Sequence, residues 1–313
     1  MSMRINPLLC ILLCIYAALF IYSLTSGVAK ELTYSILLTL INAQAFNLAL
    51  GYSGLVNLGQ AGFLGIGTYA FYAVTSFLYI NPFIAVILGG FITMAIAISI
   101  GYFTARFRGF LFVFGTMILA AGVPYLIMGL DIMGGAEGIL TYKDLSPFYN
   151  FDIILTILFL TSLLTTILTF IIVNSRIGYS LKAIRDDEDA AATSGVNVLG
   201  SKLIVFAISA FILGIAGGLR LFKVNYLSPS TAFSMAFTIE AMVVTLTGGP
   251  GTLIGPFLGT LIYQILKDLL MRTIPGLQLF IFGVLVVIMG LCAPEGFAGI
   301  LKKKIRGLQK VEI

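Results

Sequence analysis

An all-α, polytopic transmembrane bundle of about ten spans, with interrupted helices that hint at an internal repeat, is the fold class predicted by three observations. First, 59% of the 313 residues are hydrophobic and 10% are charged, with a mean hydropathy of +1.09, so the polar surface cannot cover a globule. Second, apolar runs repeatedly reach the ~20 residues a helix needs to cross a bilayer. Third, glycines cluster in two apolar stretches, six of them at 51–69 and five at 248–259, although each costs about 1 kcal/mol relative to alanine inside a helix.

The runs place spans near 8–25, 32–50, 60–80, 83–105, 110–130, 151–173, 203–222, 233–247, 253–271 and 276–293. Arg4 precedes the first like the positive end of a signal peptide. The apolar run Leu8 to Leu24 is long for one, however, and no small-x-small cleavage site follows, so it reads as a retained span. Arg106 and Arg108, then Arg176, Lys182, Arg185 and Lys202, then Lys302, Lys303, Lys304, Arg306 and Lys310 fall on one side of a ten-span chain. That bias puts them, and both termini, in the cytoplasm. The 131–150 loop on the other side holds Asp131, Glu137 and Asp144 against Lys143, while Lys30, Arg220, Lys223, Lys267 and Arg272 run against the bias. Cys10, Cys14 and Cys292 sit in or beside apolar runs and read as small hydrophobes. With no histidine, no histidine-dependent metal site or proton relay is available. The net charge of +5 is confined to loops and does not suggest nucleic-acid binding.

The stretch "GYSGLVNLGQAGFLGIGTY", 51–69, spaces its glycines without keeping one helical stripe, and Asn57 and Gln60 lie among them. Broken backbone at membrane depth is tolerated where it is buried in protein or lines a water-filled path. The same glycines equally suit close helix–helix packing. A second cluster, "GGPGTLIGPFLG" at 248–259, repeats the string Phe-Leu-Gly found at 63–65. Interrupted segments in opposite halves are a hallmark of transporters built from repeats. Gly54, Asn57, Gln60, Thr68, Glu240 and Thr245 are the candidate lining of a polar path, Glu240 being the sole carboxylate of its span.

The loop 174–202, "NSRIGYSLKAIRDDEDAAATSGVNVLGSK", is the one internal stretch dense in charge. From about Tyr179 to Thr193 it reads as an amphipathic helix ended by Gly195, with Leu181, Ile184 and Ala191 able to share a face. The acidic block Asp186 to Asp189 argues against a lipid-surface helix, and exposed Ala190-Ala191-Ala192 suits insertion into a protein groove.

"DAAATSG", Asp189 to Gly195, has the spacing of the EAA-xxx-G loop by which ABC importer permeases dock on their ATPases. The longer string 175–197 resembles the branched-chain amino-acid permeases of LivM type. "GGAEG" at 134–138, "TGGPGTLIGPFLGTLI" at 247–262 and "APEGFAGILKKK" at 293–304 have counterparts there in the same order. Asp189 replaces the usual Glu, and the downstream Leu-Pro pair is missing. The resemblance implies one permease domain over 1–313, with a coupling loop at 174–202 and a cytoplasmic tail at 301–313. It implies a place in the plasma (inner) membrane of a prokaryote. Arg185, Asp189, Ala190, Ala191 and Gly195 would form the ATPase-coupling element.

The implied partners are a second, LivH-like permease, two ATP-binding subunits and an extracytoplasmic binding protein. ATP and Mg2+ would be held by the ATPases, with no cofactor on this chain, which has no G-x-x-x-x-G-K-[ST] string. Urea or short amides are the rival cargo. An ion-coupled secondary transporter using Glu240, Lys267 and Asp268 is the rival class.

Overall fold

The computed structural model describes residues 7–107, 109–141, 145, 148–274, 276–292 and 295–304. Arg4, Arg108, Lys143, Asp144 and the part of the tail from 305 to 313 lie outside the described residues. The chain begins with α1 (Pro7–Ser23), α2 (Gly27–Ser53), α3 (Gln60–Ser76), α4 (Pro82–Thr104) and α5 (Phe110–Met128). After a short strand β1 (Ile139–Leu140) come α6 (Phe151–Val173), the loop helices α7 (Arg176–Asp186) and α8 (Glu188–Thr193), and the long α9 (Val198–Val224). Strand β2 (Tyr226–Leu227), α10 (Pro229–Ala232), α11 (Ala236–Gly248), α12 (Gly255–Thr273), α13 (Gln278–Cys292) and α14 (Gly296–Lys304) complete it.

Among the described residues, seven helical stretches are long and apolar enough to cross a membrane: 27–53, 82–104, 110–128, 151–173, 198–224, 229–248 and 280–300. The expected spans near 8–25, 60–80 and 253–271 correspond to helices that are shorter or more charged. The apolar part of α1 is Ile11–Ser23, α3 has 17 residues, and α12 carries Lys267, Asp268 and Arg272.

Local chemistry sets the helix starts. Ser26 accepts from the Ala29 amide at 3.1 Å to open α2. Asn81 caps α4 ahead of Pro82, whose missing N–H costs nothing in the first turn. Asn150 accepts from the amides of Asp152 and Ile153 to open α6.

The bundle wraps around α2, of whose apolar window 78% is buried, against 33% for α4. The Tyr16 hydroxyl pairs with Ser162 Oγ at 2.7 Å, and Gln44 donates to Thr166 at 2.6 Å, so α1, α2 and α6 share a buried polar network. Glycines bring α3, α4 and α9 together. A Cβ at Gly67 would collide with the Gly214 backbone, and one at Gly214 would meet Thr93 and Gly90. Such contacts bring backbones closer than any larger residue permits.

α9 runs 27 residues, roughly 40 Å at ~1.5 Å per residue, and so separates the loop helices from the opposite end of the bundle. There β1 pairs antiparallel with β2, and the Tyr226 hydroxyl donates to the Glu137 carbonyl at 2.6 Å. In the "GGAEG" turn beside it, Gly134, Gly135 and Gly138 all take positive φ, which explains glycine at those positions.

Candidate functional site

Both glycine-rich stretches break their helices. α2 stops at Ser53, where Gly54 turns left-handed (φ +70°) and donates its N–H to the Leu50 carbonyl at 3.0 Å. α11 stops at Gly248, after which Gly249 (φ +122°) and Gly251 (φ +76°) carry the chain to α12. The two breaks touch. A Cβ at Gly51 would fall on the Gly251 backbone and on the Asn47 side chain. Asn47, buried within α2, clamps the second break with both ends of its amide. Its Oδ1 accepts from the Gly251 N–H at 2.8 Å and its Nδ2 donates to the Thr252 carbonyl at 3.0 Å. The start of α14 closes over the same turn, since a Cβ at Gly249 would meet the Glu295 carbonyl and Ala298.

The loop helices reach this junction. Leu181 packs with Leu48, Tyr52, Ile172 and Val205, which seats α7 against α2, α6 and α9. One residue past buried Ile184, Arg185 donates from Nη1 to the Gly51 carbonyl at 2.6 Å. A Cβ at Gly54 would contact its stem, and one at Gly251 would meet its guanidinium. One arginine of the loop therefore lies against both helix breaks.

The expected single helix from Tyr179 to Thr193 is two helices. Asp187 is extended (φ −159°), and its carboxylate accepts from the amides of Asp189 and Ala190, both at 2.9 Å, starting a new helix. Ala191, expected to be exposed with its neighbours, is buried at 4% exposure, while Ala190 and Ala192 face outward. It lies one turn from Glu188, whose Oε2 accepts from Lys202 Nζ at 2.7 Å, so this face of α8 turns toward α9. Lys202 itself is 1% exposed. Gly195 (φ +84°) ends α8, with the Val196 N–H returning to the Ala191 carbonyl at 3.1 Å.

Farther along α2 and α11 lies a cavity of about 160 Å³ between α2, α3, α9, α11 and α12. Ser35, Thr39, Asn42, Lys223, Glu240 and Lys267 give it a polar lining, and Leu38, Leu64 and Phe237 an apolar one. Glu240 Oε1 accepts from Thr39 Oγ1 at 2.9 Å and from Lys267 Nζ at 3.4 Å. Gln264 donates to Thr39 at 3.0 Å and to Ser35 at 3.1 Å. Lys223 pairs with Glu31 and stands 4.4 Å from the Tyr34 ring centroid.

Of the residues expected along a polar path, Glu240 lines this cavity. Gln60 stands behind it, donating to both the carbonyl and the Oδ1 of Asn42 at 2.6 Å, and Asn42 donates to the Phe237 carbonyl at 2.9 Å. The others are placed elsewhere. Asn57 accepts from the Gly59 amide at 2.9 Å within the first break. Thr68 donates to Leu64 within its own helix at 2.8 Å, and Thr245 to the Ala43 carbonyl at 3.2 Å. Gly54 lies at the junction. Asn47, Arg185 in its inward role and Lys202 are the residues sequence reasoning did not single out for these contacts, while Lys267, set beside Glu240 there only for the rival ion-coupled class, pairs with it.

Within α3 the remaining glycines serve packing. A Cβ at Gly62 would meet Ala120, and one at Gly65 the Phe233 ring.

A multi-pass helical bundle with paired helix breaks and a charged cavity between its spans defines a membrane transport component. Residues 27–290 match the family described as branched-chain amino acid transport system / permease component, and the chain belongs to that family. It is similar to the high-affinity branched-chain amino acid transport system permease protein LivM of Salmonella typhimurium, 24% identical over 288 residues, spanning 83% of this chain and 67% of that protein. The probable branched-chain amino acid transport permease protein LivM of Methanocaldococcus jannaschii is 28% identical over 277 residues, 72% of this chain and 76% of that one. The fructose import permease protein FrcC of Rhizobium meliloti is 30% identical over 132 residues, covering 40% of this chain and 37% of its own length. Each of these relatives is a transport or import permease protein by name.

Proposed function

We propose that this chain is a permease subunit of an ABC importer, forming half of a translocation path for branched-chain amino acids. The LivM relatives, matched over most of the chain, support that cargo over sugars, whose permeases match less than half of it. Residues 1–313 act as one permease domain in the plasma membrane of a prokaryote, with both termini cytoplasmic. A second, LivH-like permease completes the path, and an external binding protein delivers the amino acid. Two ATP-binding subunits hold ATP and Mg2+ and supply the work.

The observation that carries this reading is Arg185. It donates from the loop to the carbonyl of Gly51, where the two helix breaks meet. Movement of α7 and α8 on an ATPase thus reaches both breaks through one side chain. The partly buried Lys202–Glu188 pair passes the same movement to α9. In this scheme rigid displacement of the loop helices rocks the attached spans between outward and inward openings. The outward-facing residues of α8, Asp189 and Ala190, would meet the ATPase, while Ala191 and Gly195 keep the helix in shape.

Co-purification tests this. The tagged chain, expressed with its partner permease and ATP-binding subunits, is expected to elute with the ATPases. Ala190→Arg is expected to lose them while keeping the partner permease and its elution volume. A well-folded wild type that binds no ATPase would overturn the assignment.

A further inference from the structure

The geometry points to the cavity around Glu240 and Lys267 as a binding site for the charged backbone of an α-amino acid, with Lys267 taking the carboxylate and Glu240 the ammonium. This inference rests on the permease reading and adds to it the groups that recognise the cargo.

Three features of the cavity lead there. The first is its ion pair. Lys267 Nζ lies 3.4 Å from Glu240 Oε1, longer than the 2.7–3.2 Å usual for such bonds, with 28% and 12% of the two side chains exposed. Two charges taken largely out of water and held at that distance offset little of each other's desolvation, and the short bond to Glu240 Oε1 comes from the neutral Thr39 hydroxyl at 2.9 Å. A zwitterion entering between them supplies each with a closer opposite charge, so its own ammonium and carboxylate are both matched. A neutral amide or a sugar can hydrogen-bond to both side chains but brings no opposite charge to either, and bonds between two charged groups are the stronger ones.

The second feature is a further cation in the lining. Lys223 brings it to the cavity, with its partner Glu31 set outside the lining. The Lys223 ammonium is already matched by Glu31 and the Tyr34 ring, so it raises the positive potential of the cavity while Lys267 takes the carboxylate. The third is the apolar portion. Leu38, Leu64 and Phe237 lie among these polar groups and offer contact to a short aliphatic side chain. The volume of about 160 Å³ falls below the roughly 300 Å³ at which drug-sized pockets begin, which suits a molecule of amino-acid size. A larger groove of about 440 Å³ between α4, α6 and α9 offers only the hydroxyls of Thr161 and Thr165 and has no charge to select with.

The test uses the complete purified complex of this chain, its partner permease and the ATP-binding subunits, in the absence of the binding protein. Binding of radiolabelled leucine at millimolar concentration is measured, with unlabelled leucine, leucinamide and urea as competitors. Leucinamide keeps the ammonium and the side chain and lacks the carboxylate. The expected result is displacement by leucine, at least tenfold weaker displacement by leucinamide, and none by urea. Lys267→Met is expected to weaken leucine binding at least tenfold and Lys267→Arg to restore most of it.

Equal competition by leucine and leucinamide, or unchanged binding in Lys267→Met, would overturn the assignment, as would a wild type that binds no leucine. ATP hydrolysis stimulated by the loaded binding protein is followed in every variant. If stimulation is present while leucine binding ignores Lys267, the cavity assignment alone fails. If the wild type shows no stimulation at all, the permease reading fails with it.

Discussion

Where α2 meets the 249–251 turn, backbone touches backbone, locked by Asn47 and by glycines that no larger residue can replace. Glu240 stands eight residues before Gly248 in α11, about 12 Å from that turn at ~1.5 Å per residue. At that level α2 meets α11 and α12 through long polar side chains around open space. The same helices thus form a tight joint at one level and a loose, charged chamber at another. A joint transmits displacement because it cannot yield. A chamber admits a ligand because its side chains can exchange partners.

The largest effect is expected at the joint. Gly51→Val places two methyl groups where the Gly251 backbone and the Asn47 amide already sit. Overpacking of this kind costs about 1–3 kcal/mol, and here the only relief is separation of the breaks. A clear fall in the melting temperature of the purified chain is expected, together with loss of uptake. The matching control is Gly122→Ala in α5, where a Cβ meets nothing within 4 Å. There alanine is expected to leave stability unchanged or raise it by up to about 1 kcal/mol through helix propensity. Equal losses at the two positions would dissolve the distinction between joint and ordinary helix.

The smallest effect is expected at Thr68. Its hydroxyl bonds back to Leu64 within α3 and lines neither the joint nor the chamber. Thr68→Val is expected to stay within about 1 kcal/mol of wild-type stability and within twofold of its uptake rate. A tenfold fall in uptake would place Thr68 in the path.

Much of this architecture is legible in the sequence. The apolar runs locate the long helices, and the two glycine clusters mark both interruptions. Glycine serves two purposes within one stretch, however. Gly54 makes a left-handed turn, whereas Gly62, Gly65 and Gly67 let helices approach, and spacing alone cannot separate those uses. Asn47 was hidden because its partners are backbone groups about two hundred residues away, which leave no side-chain signature. Lys202 read as a loop cation because the apolar run begins at Leu203. The helix starts earlier, at Val198, with Asn197 accepting from the Gly200 amide, so Lys202 lies inside it and is buried. Lys267 is grouped with Glu240 only as an ionisable residue of the rival class, since their pairing joins positions 27 residues apart on different helices and leaves no local spacing signal. Asp187 offered the clearest missed signal, an acidic cap preceding the acidic first turn of α8.

The central claim is that Arg185 carries movement from the loop to the helix breaks. Arg185→Met keeps the stem that packs beside Gly54 and removes the donor to the Gly51 carbonyl. In proteoliposomes holding the complete transporter, stimulated ATP hydrolysis and leucine uptake are measured side by side. The account predicts hydrolysis within twofold of wild type and uptake lowered at least tenfold. Parallel falls in both, or no change in either, would contradict it.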